Sequence, residues 1–201
     1  MKSITVLLIS MLTMVLAYSQ DGYTIGAKAD DFKLKNVDGS FVQLSDYSAE
    51  KGVVVIFSCN HCPYVKAYED RMIELHNTFA PKGFPIIAIN SNDPEIQPND
   101  SFDKMIVRAK EKSFPFKYVL DNDHKVQEAF GAKKTPHVYL LQKKDKDFVV
   151  KYIGTIDDSP RDESAVQEKY LENAINALLK GNKPDPNVTK AIGCSIKKKK
   201  A

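Results

Sequence analysis

The most constraining feature of the sequence is an apolar, β-branched run that ends in a pair of cysteines. Residues 53–57 read VVVIF, and the following SCNHCPYV contains Cys59 and Cys62, separated by two residues. A continuous run of this kind is typical of a strand covered on both faces at the centre of a sheet. From Pro63 the apolar residues recur every three or four positions as far as residue 79, which predicts an amphipathic helix. The two cysteines are therefore expected at a strand-to-helix junction.

The remaining pattern predicts a single α/β domain around this junction. Residues 84–90 form a second buried strand, so strand, helix and strand make a βαβ unit with the cysteines at its first turn. Upstream, alternating apolar residues on either side of Asp38 and Gly39 predict a β-hairpin. The later elements are expected to be a helix at 102–112, a strand from 116, a short helix at 123–130, strands at 137–142 and 148–153, and a last helix carrying Val166, Tyr170, Ala174, Ile175 and Leu178.

The amino terminus has the pattern of a secretory signal. Lys2 precedes an apolar stretch at 4–16, and the small residues Ala17 and Ser19 follow it. We expect cleavage after Ser19 and export, either to the periplasm or out of the cell. The stretch is short for a bilayer span, so a retained anchor is the weaker alternative. Disulfides persist in exported proteins, so the cysteine pair can rest oxidised there.

The length of the chain predicts one folded domain, and its net charge argues against a nucleic-acid partner. A chain of 201 residues with 43% hydrophobic residues can bury one core of ordinary size. The formal charge of +3 comes largely from a lysine run near the end, so no nucleic-acid surface is expected. We predict a signal at 1–19, one domain at 20–182, and a tail at 183–201 that carries Cys194 and the lysines. No cofactor and no stable membrane insertion after cleavage are expected.

The spacing of the cysteine pair suits dithiol–disulfide exchange. Such chemistry needs one thiol that is exposed and ionised, and a second thiol within reach that expels the mixed disulfide. Unpaired N–H groups and the positive dipole at a helix start favour a thiolate. We expect Cys59, at the strand end, to be the nucleophile and Cys62, one turn on, to be the resolving thiol. His61 adds positive charge beside Cys59 when protonated.

Two other interpretations of the pair stay open at this stage. The cysteines can be structural residues that happen to be neighbours. Cys59, His61 and Cys62 are also metal-ligand types, but zinc takes four ligands and the sequence has no second close pair. Copper(I) can use two thiolates with a distant histidine such as His137. Our prediction contains no resident metal.

Two further features are candidates for the same site. Thr135-Pro136 precedes a strand, where proline is admitted at the first residue, and both cis and trans bonds are compatible with that place. Cys194 is the third cysteine and lies in the tail. It can act within the chain as an accessory thiol or pair between chains.

Four sequence segments resemble a known group of proteins. They are CNHCPYV after the buried strand, TP before the late hairpin, GTIDDSP at 154–160 and KAIGCSIK at 190–197. The chain resembles the thioredoxin-fold superfamily, and more closely its redoxin group of peroxiredoxin-like (alkyl hydroperoxide reductase/thiol-specific antioxidant) proteins. The resemblance implies an α/β, thioredoxin-like fold with a central mixed sheet flanked by helices, an N-terminal β-hairpin and an inserted α/β segment at 102–120.

The resemblance also implies roles for individual residues. Cys59 matches the nucleophilic cysteine and Cys62 the resolving one. Pro136, with Thr135 before it, matches a cis proline that lies against the pair and offers its backbone to an extended substrate. These assignments agree with the chemistry expected from the spacing.

One departure from the peroxiredoxin pattern decides between two expected activities. Peroxiredoxins usually carry P-x-x-x-T-x-x-C. Counted back from Cys62, the threonine position is Cys59 and the proline position is Val55; counted from Cys59, they are Ile56 and Gly52. We therefore expect an exported thiol-disulfide oxidoreductase that acts on protein or small-molecule disulfides and thiols, with a redox partner not identified by the sequence. A thiol-dependent peroxidase is the alternative, and a copper or zinc carrier the third.

Overall fold

The computed structural model describes residues 22–199 and contains ten strands and four α-helices in that range. The strands are β1 (Lys28–Ala29), β2 (Lys33–Asn36), β3 (Phe41–Gln43), β4 (Gly52–Ser58), β5 (Ile86–Asn90), β6 (Lys117–Leu120), β7 (Lys134–Thr135), β8 (His137–Lys144), β9 (Asp147–Gly154) and β10 (Cys194–Ser195). The helices are α1 (Pro63–Phe79), α2 (Phe102–Glu111), α3 (Lys125–Phe130) and α4 (Tyr170–Leu179). Eight strands form one sheet in the order β1-β9-β8-β4-β5-β6-β2-β3, and β7 pairs with β10.

Strand β4 lies at the centre of the sheet, as its composition predicts. It pairs in parallel with β5 and antiparallel with β8. All seven of its residues are buried. Because side chains alternate along a strand, Val54 and Ile56 join one core, while Val53, Val55 and Phe57 join the other. The core of Val54 also contains residues of α1, α2 and α4, whereas the opposite core contains residues of α3 and the hairpin.

This architecture is a thioredoxin-like α/β fold, and it confirms the expected fold class. The N-terminal β-hairpin is formed by β2 and β3, with Lys33 opposite Gln43. Its turn contains Gly39 at φ 86°, a conformation that glycine adopts without a steric penalty. The inserted segment consists of α2 and β6, and β6 extends the sheet in parallel with β5.

The start of the last helix differs from the sequence prediction. Val166 was expected on this helix, but α4 begins at Tyr170. Val166 instead follows a short 3-10 turn, Glu163–Ala165, and has extended backbone geometry. The side chain of Asp162 accepts a hydrogen bond from the N–H of Ser164 and so stabilises this separate turn. Local capping therefore overrides the apolar periodicity at Val166.

The described part of the C-terminal tail lies against the domain. The hydroxyl of Thr189 is 2.6 Å from that of Tyr152, and Val188 forms a bridge with Ile153. Further along, β10 pairs antiparallel with β7. The tail thus reaches the region of the predicted site.

The predicted signal at 1–19 lies outside the described residues, as do the last two residues of the chain. Of the helices within 22–199, none has both the length and the apolar composition that a membrane crossing requires.

Candidate active site

The first two cysteines lie at the junction between β4 and α1. Cys62 is the N-cap residue of α1, and Pro63 occupies the first helical position, where a missing N–H costs no hydrogen bond. The predicted strand-to-helix placement is therefore confirmed. Cys59 is only 2% exposed and Cys62 is 0% exposed. Neither sulfur has the free access to solvent that the sequence-based mechanism assigned to its nucleophile.

Thr135 contacts both sulfurs of the pair. The Sγ of Cys59 is 3.3 Å from the Oγ1 of Thr135, and the Sγ of Cys62 is 3.2 Å from the carbonyl oxygen of Thr135. The peptide bond between Thr135 and Pro136 is cis, as the family resemblance implied. A residue 73 positions away from Cys62 in the chain is thus part of the thiol site.

The third cysteine reaches the same site through the tail. Cys194 lies opposite Thr135 in the pairing of β10 with β7. Its Sγ is 2.6 Å from that of Cys62, and all three cysteines are unbonded thiols. Gly193 permits this approach, because a Cβ atom there would overlap the carbonyl oxygen of Thr135. The accessory thiol predicted from the sequence therefore lies beside Cys62 rather than at a distance.

Ionisation of the three thiols is strongly coupled. The hydrogen bond with Cys59 lowers the pKa of Cys62 to about 4, and the hydrogen bond between Cys62 and Cys194 acts in the same direction. The same bond to Cys62, together with burial, raises the pKa of Cys59 far above its usual range. Burial and the hydrogen bond to Cys62 raise the pKa of Cys194 to about 11.

The carbonyl of Thr135 acts against this assignment, because a carbonyl accepts only from a protonated thiol. It is a single acceptor, whereas the thiols of Cys59 and Cys194 both stabilise a charge on Cys62. We therefore assign the negative charge to Cys62, which lies between two protonated thiols. A helix N-cap is also a favourable place for a thiolate.

A buried carboxylate fixes the turn between the two cysteines. Asp100 is fully buried and accepts hydrogen bonds from the backbone N–H groups of Asn60 and His61, at 2.7 and 3.1 Å. Its other oxygen is 2.5 Å from the Nδ1 of His61 and 2.6 Å from the Nδ2 of Asn92. Asp100 is not predicted by the sequence, because it lies in a polar loop 39 residues after His61 and no spacing links the two.

Asp100 also changes the electrostatics expected around the first cysteine. The sequence predicted positive charge from His61 beside Cys59. The carboxylate of Asp100 is negative and contributes to the raised pKa of Cys59, after the larger effects of the Cys62 hydrogen bond and burial. The tuning role of His61 stays a prediction, and Asp100 must be included in any test of it.

Three of these side chains also form a group with metal-ligand atoms. Donor atoms of Cys59, His61 and Asp100 all lie within 4.8 Å of one another. However, the 2.5 Å between His61 and Asp100 is a hydrogen-bond distance. Two ligands of one tetrahedral zinc ion lie about 3.3 Å apart, given metal–ligand bonds of about 2.0 Å. The Nδ1 of His61 and the Oδ2 of Asp100 are closer together than two such ligands. His137, the distant copper ligand considered above, instead accepts from the backbone N–H of Lys133 at 3.4 Å.

Comparison with known proteins identifies the family. A family model described as the AhpC/TSA family matches residues 25–159. The chain belongs to this family. The redoxin resemblance noted in the sequence is thereby confirmed.

Similar proteins place this AhpC/TSA family member among thiol-dependent enzymes. The solved structure of an uncharacterized conserved protein from Geobacillus kaustophilus is 39% identical, with a TM-score of 0.80, over 89% of this chain and 94% of that one. Thiol-disulfide oxidoreductase ResA of Halalkalibacterium halodurans is 28% identical over 116 residues, which are 58% of this chain and 61% of the relative. Peroxiredoxin Bcp of Bacillus subtilis is 29% identical over 110 residues, 55% of this chain and 65% of the relative. The match thus covers less than two thirds of either sequence relative, and these relatives support the expected class of enzyme, an oxidoreductase.

The predicted site residues come together in the structure. Cys59, Cys62 and Cys194 form one cluster of thiols, with Thr135 in contact with the first two. Pro136 follows Thr135, and His61 lies in the turn between the first two cysteines.

Proposed function

We propose that the protein is a thiol-disulfide oxidoreductase with Cys59 and Cys62 as its redox pair. The observation that carries this proposal is the contact of Thr135 with both sulfurs at the start of α1. One residue thereby holds two thiols of opposite pKa shift in mutual contact. This is the arrangement that attack by one thiol and resolution by the other require.

The roles within the pair depend on which sulfur is ionised. The sequence assigned attack to Cys59. The lowered pKa of Cys62 supports the reverse assignment, in which Cys62 is the thiolate at neutral pH and Cys59 resolves. Either assignment uses the same two residues and gives the same net exchange.

Single serine variants test the proposal. Reduction of insulin disulfides with dithiothreitol as the electron donor is measured for the wild type, Cys59→Ser and Cys62→Ser. Because serine does not form disulfides, we expect each variant to lose about a hundredfold or more in rate. Ser195→Ala, a change on the exposed tail, serves as the control. Full activity in either cysteine variant would contradict the use of both residues as a pair.

A thiol-dependent peroxidase is the second candidate function. The family and the relative named Peroxiredoxin Bcp favour it. The missing P-x-x-x-T-x-x-C frame around both cysteines argues against it. Consumption of hydrogen peroxide at a rate far above that of free cysteine, with a sulfenic acid trapped on one thiol, would favour the peroxidase.

We further propose that the chain is exported and acts on disulfides and thiols in the periplasm or outside the cell. The support is the signal pattern at 1–19. Fractionation of the native host, with mass spectrometry of the mature amino terminus, tests this. An amino terminus at Gln20 in the exported fraction is expected, and an uncleaved chain in the cytosol would contradict it.

A further inference from the structure

The three thiols differ in their access to solvent. Cys59 and Cys62 are 2% and 0% exposed, whereas Cys194 is partly exposed. Cys62 lies in the middle, because it contacts Cys194 at 2.6 Å and shares a hydrogen bond with Cys59. The most exposed of the three cysteines therefore directly contacts the buried pair.

The position of Cys194 is fixed by contacts on both sides of it. On one side, Gly193 packs against Thr135 where a larger residue would overlap. On the other side, the N–H of Lys197 donates to the Oδ1 of Asn92 at 2.7 Å, and the N–H of Asp93 donates to the carbonyl of Lys197 at 2.7 Å. Together with the pairing of β10 and β7, these contacts hold the thiol against Cys62.

We propose that Cys194 is a relay thiol, the sulfur at which partner thiols exchange with the buried Cys59–Cys62 pair. This inference rests on the proposed oxidoreductase function and adds the route by which a partner gains access.

The relay has three exchange steps, which balance with partner thiols as the only added reactants. In the oxidised protein, the thiolate of Cys194 attacks the Sγ of Cys62. The Cys62–Cys194 bond forms, the Cys59–Cys62 bond breaks, and Cys59 leaves with the electron pair and takes up the proton that Cys194 lost. A partner thiolate then attacks the Sγ of Cys194, and Cys62 leaves as a thiolate.

A second thiol of the partner completes the reaction. It attacks the partner sulfur of the mixed disulfide, so that a partner disulfide forms and Cys194 leaves and is protonated. The net result is that the protein gains two electrons and one proton from a dithiol, or from two monothiols, and the second proton is released to solvent because Cys62 stays a thiolate. Reduction of a partner disulfide is the same sequence in reverse.

The ionisation pattern supports the first two of these steps. Low-pKa thiols are the better leaving groups in disulfide exchange, and Cys62 has the lowered pKa. Burial is the largest cause of the raised pKa of Cys194, and its hydrogen bond to Cys62 and the charge on Cys62 raise this pKa further. Both contributions of Cys62 disappear when it is in a disulfide, so Cys194 ionises more readily in the oxidised protein.

The first experiment locates the sulfur that a partner attacks. Full-length Cys59→Ser is oxidised, treated with reduced glutathione, alkylated with iodoacetamide and digested for mass spectrometry. We expect an intramolecular Cys62–Cys194 disulfide before treatment, then glutathione on Cys194 and the alkyl group on Cys62. Absence of the intramolecular disulfide, or glutathione mainly on Cys62, would overturn the proposal.

The second experiment measures the rate at which glutathione reduces the oxidised full-length protein. We expect Cys194→Ser to be at least tenfold slower than the wild type. The matched control combines Cys194→Ser with Ser195→Cys, which keeps three thiols but moves one to the opposite face of β10, and it should be equally slow. Rates equal to or above that of the wild type in Cys194→Ser would overturn the proposal. Circular dichroism confirms that both variants are folded.

The two proposals fail in different ways. If oxidised Cys194→Ser contains no Cys59–Cys62 disulfide, the proposed redox pair is wrong. If that disulfide forms and is reduced at the wild-type rate, the pair stands and the relay is wrong.

Discussion

The Oδ2 of Asp100 lies 2.5 Å from the Nδ1 of His61, in the turn that connects the two buried cysteines. The same carboxylate accepts from the backbone N–H groups of Asn60 and His61. A loop that precedes α2 therefore determines the shape of the CxxC turn. Without this carboxylate, several buried donors around the site would lose their acceptor.

Asp100→Asn tests the structural importance of this carboxylate. An amide offers one accepting oxygen in place of two and directs an NH₂ group at existing donors, so we expect a loss of about 2–4 kcal/mol in the free energy of unfolding. Urea denaturation measures it. Asp103→Asn, an exposed change in the first turn of α2, is the control and should stay within about 0.5 kcal/mol of the wild type. Equal stability of the two variants would show that Asp100 is not needed to hold the turn.

The charge on Cys62 predicts an unusual acid titration of the reduced protein. The lowered pKa of Cys62, about 4, means that the thiolate is present above that pH and is lost as the pH falls through it. Thiolate absorbance near 240 nm should therefore persist at pH 6 and decrease with a midpoint near 4. In Cys62→Ser this transition should be absent. A first thiolate that appears only at about pH 8.5, as in free cysteine, would refute the assignment.

Gly193→Ala tests how closely the tail must pack. The added methyl group would overlap the carbonyl oxygen of Thr135. Overpacking of this kind destabilises the folded state by about 1–3 kcal/mol. In the Cys59→Ser background we expect the yield of the Cys62–Cys194 disulfide at a fixed glutathione redox ratio to fall about tenfold, which corresponds to about 1.4 kcal/mol. Ser195→Ala in the same background should leave the yield unchanged. An undiminished yield with alanine at 193 would show that the tail tolerates a wider approach.

His137 predicts a pH dependence of stability that is separate from the thiols. Burial lowers the pKa of His137 to about 4, below its ordinary 6.5. Between these values the unfolded state binds the proton more tightly, so stability is fully present above pH 6.5 and is lost as the pH falls to 4. Over this pH range the free energy of unfolding decreases by roughly 3 kcal/mol. Urea denaturation at pH 7 and pH 4 should show a smaller loss in His137→Gln, and an identical loss in both proteins would exclude His137 as the cause.

The sequence predicted the fold well because its signals are local. The β-branched run of β4 and the apolar periodicity of α1 are both local patterns in neighbouring stretches of sequence. These patterns alone place the cysteine pair at the junction of β4 and α1. The two strands of the late hairpin were likewise predicted from local apolar segments, and the family resemblance added the cis bond before Pro136. Val166 was misplaced, because a side-chain cap at Asp162 starts a separate turn that periodicity does not register.

The site was predicted less completely because its chemistry depends on distant contacts. Asp100 reaches His61 across 39 residues, and Cys194 reaches Cys62 across 132. The raised pKa of Cys59 comes first from its hydrogen bond with Cys62, then from burial and the charge of Asp100, whereas the hydrogen bond with Thr135 lowers it. Burial and the proximity of Asp100 are not visible in the CxxC spacing. The motif thus predicted the cysteine pair, whereas the partition of charge within it required the folded chain.

Because β10 pairs with β7, the tail of the protein occupies the strand edge next to the thiol site. An extended peptide that binds the backbone of Thr135 must displace β10. Because β10 belongs to the same chain, its effective concentration at this strand edge is high. If Cys194 is the relay thiol, we expect weakly binding peptides to be excluded, whereas small thiols need only reach the sulfur of Cys194. The pairing of Cys194 and Ser195 with the two-residue strand β7 thus predicts that partners are selected by size and affinity.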